Sequence, residues 1–202
     1  MIFITWSTHF NFLALNTLLA YIPIELSFQI QRTKNHSLQI GLAFLWLLFF
    51  PNIPYLATDI IHTDLLNLYN NTTGMSVESV RGWGLIFILF LVAFSYINWG
   101  FTELFSLAEL AKQKLKLRNS VMCLGLCFVS LLSSMGMYAG RFSPRLHSKH
   151  FFMEPLRVLE IIFLQWSMKK AELIILFFLL HVGIMGTLYV TRKSKQSSIR
   201  EN

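Results

Sequence analysis

Two ionisable side chains three residues apart, Asp59 and His62, follow a double-proline segment, and three arginines elsewhere in the chain, Arg81, Arg141 and Arg145, offer opposite charge to the carboxylate. An Asp-x-x-His pair suits a metal half-site, a proton relay, or a carboxylate that fixes an imidazole tautomer. On a helix begun at Asp59 the two share a face, while Asp64 lies well round from both. Two ligands do not make a metal site and no third stands nearby in sequence, so no metal is expected. Arginine binds carboxylate and phosphate through paired donors, which makes Arg81, Arg141 and Arg145 the candidates for holding an anion or lipid headgroup. No catalytic residue is assigned; Asp59 and His62 are the candidates for moving a proton. The chain carries no Gly-Lys phosphate loop, nucleophile elbow or dinucleotide fingerprint, so no cofactor is expected either.

The elements that must position these groups are long apolar stretches nearly free of charge: Met1 to Ile30, Leu38 to Ala57, Trp83 to Thr102, Val121 to Gly140 and Leu173 to Val190. Each is long enough, or nearly so, to cross a hydrocarbon core of roughly 30 Å, which takes about 20 helical residues. Lipid supplies no hydrogen bonds, so every backbone group must be paired within its own segment, and helices do this without closing a barrel. The 54% hydrophobic and 13% charged fractions agree, since soluble chains run to about a quarter charged. The expected fold is an all-α, multi-pass transmembrane helical bundle of five spans, with six as the alternative. Residues 1–192 form one domain, and 193–202 a basic tail.

A net charge of +7 would point to nucleic acid in a soluble protein. Here the positive residues sit in short loops beside apolar spans, so phospholipid headgroups are the expected counter-charge and nucleic acid is not expected. The first Lys or Arg is Arg32, so the opening segment lacks the basic start of a cleaved signal and is expected to stay as a span. With five spans and the N-terminus outside, inner loops hold ten of the Lys and Arg residues and outer loops seven, the inner loops being shorter. The positive-inside rule favours that orientation, with the C-terminus in the cytoplasm. Cys123 and Cys127, both in the fourth span, read as small apolar packing residues.

Three local features follow. Pro51 and Pro54 remove two backbone donors and bias the residues before them away from the α region, so Pro51, Asn52 and Pro54 mark a break in the second span. The regular part, Leu38 to Phe50, is only about 20 Å long, and a second helical piece is expected to restart with Thr58 as N-cap and Asp59 in its first turn. Gly136 and Gly140 form Gly-x-x-x-Gly, a helix-packing seam that would seat Arg141 beside a neighbouring helix. Between Arg141 and Lys170, Pro155 suits a helix start, and Leu156, Leu159, Phe163 and Trp166 repeat at helical spacing. An interfacial or re-entrant helix near 155–168, anchored by Trp166 and Lys169-Lys170, is expected there. His181 lies mid-span, where a neutral imidazole bonded to a neighbouring helix is the less costly arrangement. Glu25 is placed to reach towards Arg32 or Lys34.

The run Phe49-Phe50-Pro51-Asn52-Ile53-Pro54-Tyr55-Leu56-Ala57-Thr58-Asp59-Ile60-Ile61-His62 resembles the signature of a bacterial integral-membrane family, domain of unknown function 1361. Ser134-Met135-Gly136-Met137-Tyr138-Ala139-Gly140-Arg141-Phe142 is similar to its second signature, and Asn16, Ala20, Ile22 and Pro23 to its first-span pattern. After Phe142 the family pattern continues with a tryptophan and an acidic residue; Arg145-Leu146-His147-Ser148-Lys149-His150 has neither. The resemblance implies a bacterial cell membrane and supplies no activity.

Three functions are compatible with these residues. Asp59, His62, Arg81, Arg141 and Arg145 converge on an outer-face site for a phosphate-bearing or lipid-headgroup ligand. Alternatively, Asp59 and Arg141 clamp two helices of a structural or accessory subunit, whose partner is another membrane protein or a second copy. In the third, a small transporter uses the broken second span and His181.

Overall fold

A computed structural model describes residues 11–70, 72–142, 146 and 150–200. The start of the first expected span, Arg145 and most of the divergent stretch 143–150 lie outside the described residues. The elements run α1 (Asn11–Arg32), α2 (His36–Phe49), α3 (Asn52–Tyr55), a 3-10 helix (Leu56–Leu66), β1 (Tyr69–Asn70), β2 (Met75–Ser76), α4 (Val80–Leu115), α5 (Asn119–Arg141), α6 (His150–Met153), α7 (Pro155–Leu159), a π-turn (Glu160–Leu164) and α8 (Met168–Arg200). β1 and β2 form one antiparallel ribbon, Tyr69 facing Ser76 and Asn70 facing Met75.

Five helical stretches are long and apolar enough to cross a bilayer: Leu13–Arg32, His36–Asp64, Val80–Leu115, Asn119–Arg141 and Met168–Ser194. The protein is a multi-pass membrane protein of five helical spans. The sixth span held as an alternative has no helix to carry it among the described residues, where α6, α7 and the π-turn contribute only 4, 5 and 5 residues. Helix starts are fixed by short polar side chains that accept from otherwise orphaned N–H groups. Asn35 accepts from Ser37 and Leu38 at 3.0 and 3.2 Å, and Ser79 accepts from Gly82 at 3.1 Å. Ser167 likewise accepts from Lys170 N–H at 3.1 Å. With 36 residues α4 is the longest element, about 54 Å by helical rise, so it overruns the hydrocarbon core. Its last turn carries Lys112 and Lys114.

α1 packs on α2 and α4, α5 packs on α8, and α4 reaches both pairs. The main core gathers Ile24, Trp46, Phe50, Ile53, Phe101 and Leu104. A second cluster sets Val158, Ile161 and Ile162 against Met135, Ala139 and Ile174. Cys123 is exposed, facing out of the bundle instead of packing within it, while Cys127 is half-buried; both are free.

The regular second helix ends at Phe49, and the proline segment then shifts the hydrogen-bond ladder without opening the chain. Phe50, Pro51, Tyr55 and Leu56 all keep right-handed helical torsions. The bias that proline exerts on its preceding residue is overridden at Phe50, whose side chain is fully buried in the main core. Ile53 N–H turns to Phe50 O at 3.0 Å, an i+3 bond. That leaves Phe49 O without its regular partner, and the Asn52 side-chain amide covers it at 2.9 Å. Lipid could not have done so. Thr58 is not an N-cap: it sits inside the 3-10 helix and its hydroxyl donates back to Tyr55 O at 2.6 Å. Asn67, left-handed at φ 47°, ends that helix, a conformation that asparagine tolerates better than most residues.

Candidate functional site

Asp59 and His62 stand on the 3-10 helix, where residues three apart eclipse one another. Arg141 is the last residue of α5, and the three side chains meet. Arg141 Nη1 donates to the Tyr55 hydroxyl at 3.2 Å and to Asp59 Oδ1 at 3.5 Å, and it lies 3.5 Å from His62 Nε2. Guanidinium has no acceptor, so the His62 nitrogen can meet it only as an acceptor. Nη2 donates to the carbonyl of Thr58. The guanidinium also lies over the Tyr55 ring, 5.2 Å from its centroid, in cation–π range. From α1, Asn16 Nδ2 donates to the second carboxylate oxygen, Asp59 Oδ2, at 2.8 Å.

Burial decides what this cluster can do. The Asp59 side chain is 0% exposed and that of Arg141 14%. Removing two charges from water costs several kcal/mol per ion, and that cost is offset only when the charges face each other and their remaining donors and acceptors are filled. Here both carboxylate oxygens and both terminal guanidinium nitrogens are engaged. An incoming anion would have to compete with a carboxylate already in place. Among the described residues no group of three or more His, Cys, Asp or Glu is placed to hold a metal ion.

Arg81 is exposed in the first turn of α4, and Arg145 lies outside the described residues. Gly136 lies against the proline break, where a Cβ would stand 2.8 Å from Pro51 Cγ. Gly140 faces the Tyr55 ring, its virtual Cβ 3.5 Å from Cε2. Asn16, Tyr55 and the Thr58 carbonyl complete the cluster without a role assigned from sequence. The signals for Asn16 were a polar amide inside the first apolar stretch and its place in the first-span pattern that the chain resembles.

His181 is fully buried in mid-bundle. Its Nδ1 is 2.7 Å from Phe177 O, which can only accept, so Nδ1 carries a proton, and Nε2 meets Ser133 Oγ at 2.9 Å. Phe101 packs edge-on at 5.4 Å between centroids. One proton satisfies the ring, and α8 is thereby joined to α5.

At the opposite end, Glu103 is buried and accepts from Gln31 at 2.8 Å and Ser27 at 3.3 Å. Glu25 turns to its own helix, accepting from Tyr21 and Gln29 instead of reaching Arg32 or Lys34. Lys114 donates to Gln39 Oε1 at 2.7 Å, and Arg192 donates to Thr102 O at 3.1 Å.

The profile of a family described as "Protein of unknown function (DUF1361)" matches residues 15–184. The chain belongs to that family. No curated protein and no solved structure matches it.

Proposed function

We propose that this member of the DUF1361 family is a structural or accessory membrane protein in which the Asn16–Asp59–Arg141 cluster is a buried lock. The lock ties the second span to α5 and, through Asn16, to α1. One observation carries the reading: Arg141 already turns Nη1 and Nη2 to Thr58 O, Tyr55, Asp59 and His62, while the paired carboxylate is fully buried. A headgroup phosphate would have to displace a carboxylate from that cation, and buried ion pairs are best attested as setting register. The lock end of the bundle is taken as the outer face of a bacterial cell membrane, because the opposite orientation would leave the denser Lys and Arg loops outside.

The test compares melting of wild type, Asp59→Ala, Arg141→Ala and the double variant in detergent, with and without inorganic phosphate or phosphatidylglycerol. A lock lowers stability in both single variants and leaves the melt indifferent to anions. A headgroup site gives the opposite pattern: anions stabilise the wild type, and a folded, stable Arg141→Ala protein loses that response.

A further inference from the structure

We propose that the segment Pro155–Leu164 lies in the interfacial plane of one leaflet, with Leu156, Leu159 and Phe163 among the acyl chains. Three stripes run along this segment. Val158, Ile161 and Ile162 are buried against α5 and α8. Leu156, Leu159 and Phe163, at helical spacing, form a second apolar ridge that is 81%, 52% and 45% exposed. Arg157 and Glu160 occupy a third flank, where Arg157 donates to Glu154 at 2.8 Å and holds that carboxyl below its ordinary value. A helix that only covered a core would be polar on the rest of its surface. Two apolar stripes and one charged flank suit a helix with protein on one side, lipid below and headgroups above.

The carboxyl end of the segment points the same way. In water its last carbonyls would be solvated without help from the protein. Instead Lys170, 3% exposed, aims its ammonium at three of them: Ile161 O at 2.7 Å, Ile162 O at 2.9 Å and Gln165 O at 2.7 Å. The ring of Trp166 lies 4.7 Å and that of Tyr138 5.7 Å from the ammonium nitrogen. A buried lysine is costly, and internal satisfaction of a helix end is obligatory only where no water reaches it. The sequence expectation of Lys170 as a headgroup anchor is corrected accordingly: Lys169 is exposed and Lys170 is an internal cap. The ridge is also continuous in character with the neighbouring faces of the spans, since Leu131 of α5 and Ile175, Leu176 and Leu179 of α8 are exposed too. Exposed apolar side chains of this kind are what the spans turn to lipid, and the ridge shares that character.

The experiment places nitroxide labels on single cysteines in the full chain carrying Cys123→Ser and Cys127→Ser, in mixed phosphatidylcholine and phosphatidylglycerol vesicles. Leu159→Cys and Phe163→Cys are the test positions, with Leu156→Cys held as a second ridge position should either fail to fold. Thr73→Cys in the hairpin reports water, and Leu176→Cys reports the lipid face of α8. Collision with oxygen relative to a nickel chelate should be about tenfold higher at the ridge than at Thr73, close to the Leu176 value. Ridge labels matching Thr73 would put the segment in water and overturn the proposal. Labels shielded from both reagents would overturn it too, by showing the ridge covered by protein.

Discussion

Removing one member of the Asp59–Arg141 pair is the most direct perturbation of this bundle. At 3.5 Å separation and an effective dielectric of about 20, the attraction is about 5 kcal/mol. Desolvation of the two ions offsets most of it, so the pair itself adds little net stability. Deleting one partner is different, because the survivor keeps its desolvation cost and loses its counter-charge. Arg141→Ala leaves a fully buried carboxylate and takes the donor from Thr58 O, and Asp59→Ala leaves the guanidinium facing Tyr55 and His62. Each should cost about 3–4 kcal/mol. For a chain of this size that lowers the melting temperature by roughly 10 °C. The double variant removes the stranded charge as well and should cost about 3 kcal/mol, no more than either single change, giving a coupling of about 4 kcal/mol. The assay is the fraction of monodisperse protein left after heating in detergent, for all four proteins in one cycle. Additive losses, with coupling below about 0.5 kcal/mol, would show that the two side chains do not act as a unit, and the lock would be wrong.

Three further outcomes are expected. Gly136→Ala places a methyl against Pro51, whose ring cannot swing aside, and should destabilise by about 1–3 kcal/mol; Gly125→Ala, with nothing within 4 Å of its Cβ, should not lower the melting temperature. Lys170→Met keeps the stem but strips the cap from Ile161, Ile162 and Gln165 carbonyls. Each carbonyl left buried and unpaired costs about 1–3 kcal/mol, so amide exchange in 155–167 should rise well before the spans melt. Ser133→Ala removes the Nε2 partner of His181 and should cost only about 0.6 kcal/mol, the usual size of such bonds between spans; a loss several times larger would mean that the pair has a role beyond packing.

Hydropathy and the proline pair made the five spans and the interruption of the second legible in the sequence, because both follow from what lipid denies the backbone. The bond that repairs the interruption was less visible. Nothing in sequence distinguishes an asparagine that covers Phe49 O from one that faces a ligand, and the core position of Phe50 set the torsion that proline disfavours. The pairing of Asp59 with Arg141 was open to inference as complementary charge at the same ends of two spans. Asn16 as the third member was not, since an i-to-j contact across 43 residues leaves no periodic trace. Lys170 was misread for a related reason. A lysine beside a tryptophan at a span end usually snorkels to headgroups, and only the three carbonyls of the preceding turn show why this one faces inward.

α5 explains why these polar groups lie where they do. In a bilayer the helices gain nothing from hiding apolar surface from one another, so contact must come from close approach and from polar bonds. α5 supplies both, to two sets of neighbours. Towards the α1–α2–α4 side it presents Gly136 to Pro51 and Arg141 to the 3-10 helix. Towards α8 it presents Ser130 to Met185, at 3.8 Å from the sulfur, and Ser133 to His181. Ser130, Ser133 and Ser134 are all buried, a costly choice for a helix that merely fills space. The lock at Arg141 is thus the terminal member of a row of joints along one helix, and the costliest to break by removing one partner. No remaining joint costs as much to break as the ion pair does when it loses one partner, so breaking the lock should loosen the end of the bundle that carries Asp59 first and leave the His181–Ser133 joint standing.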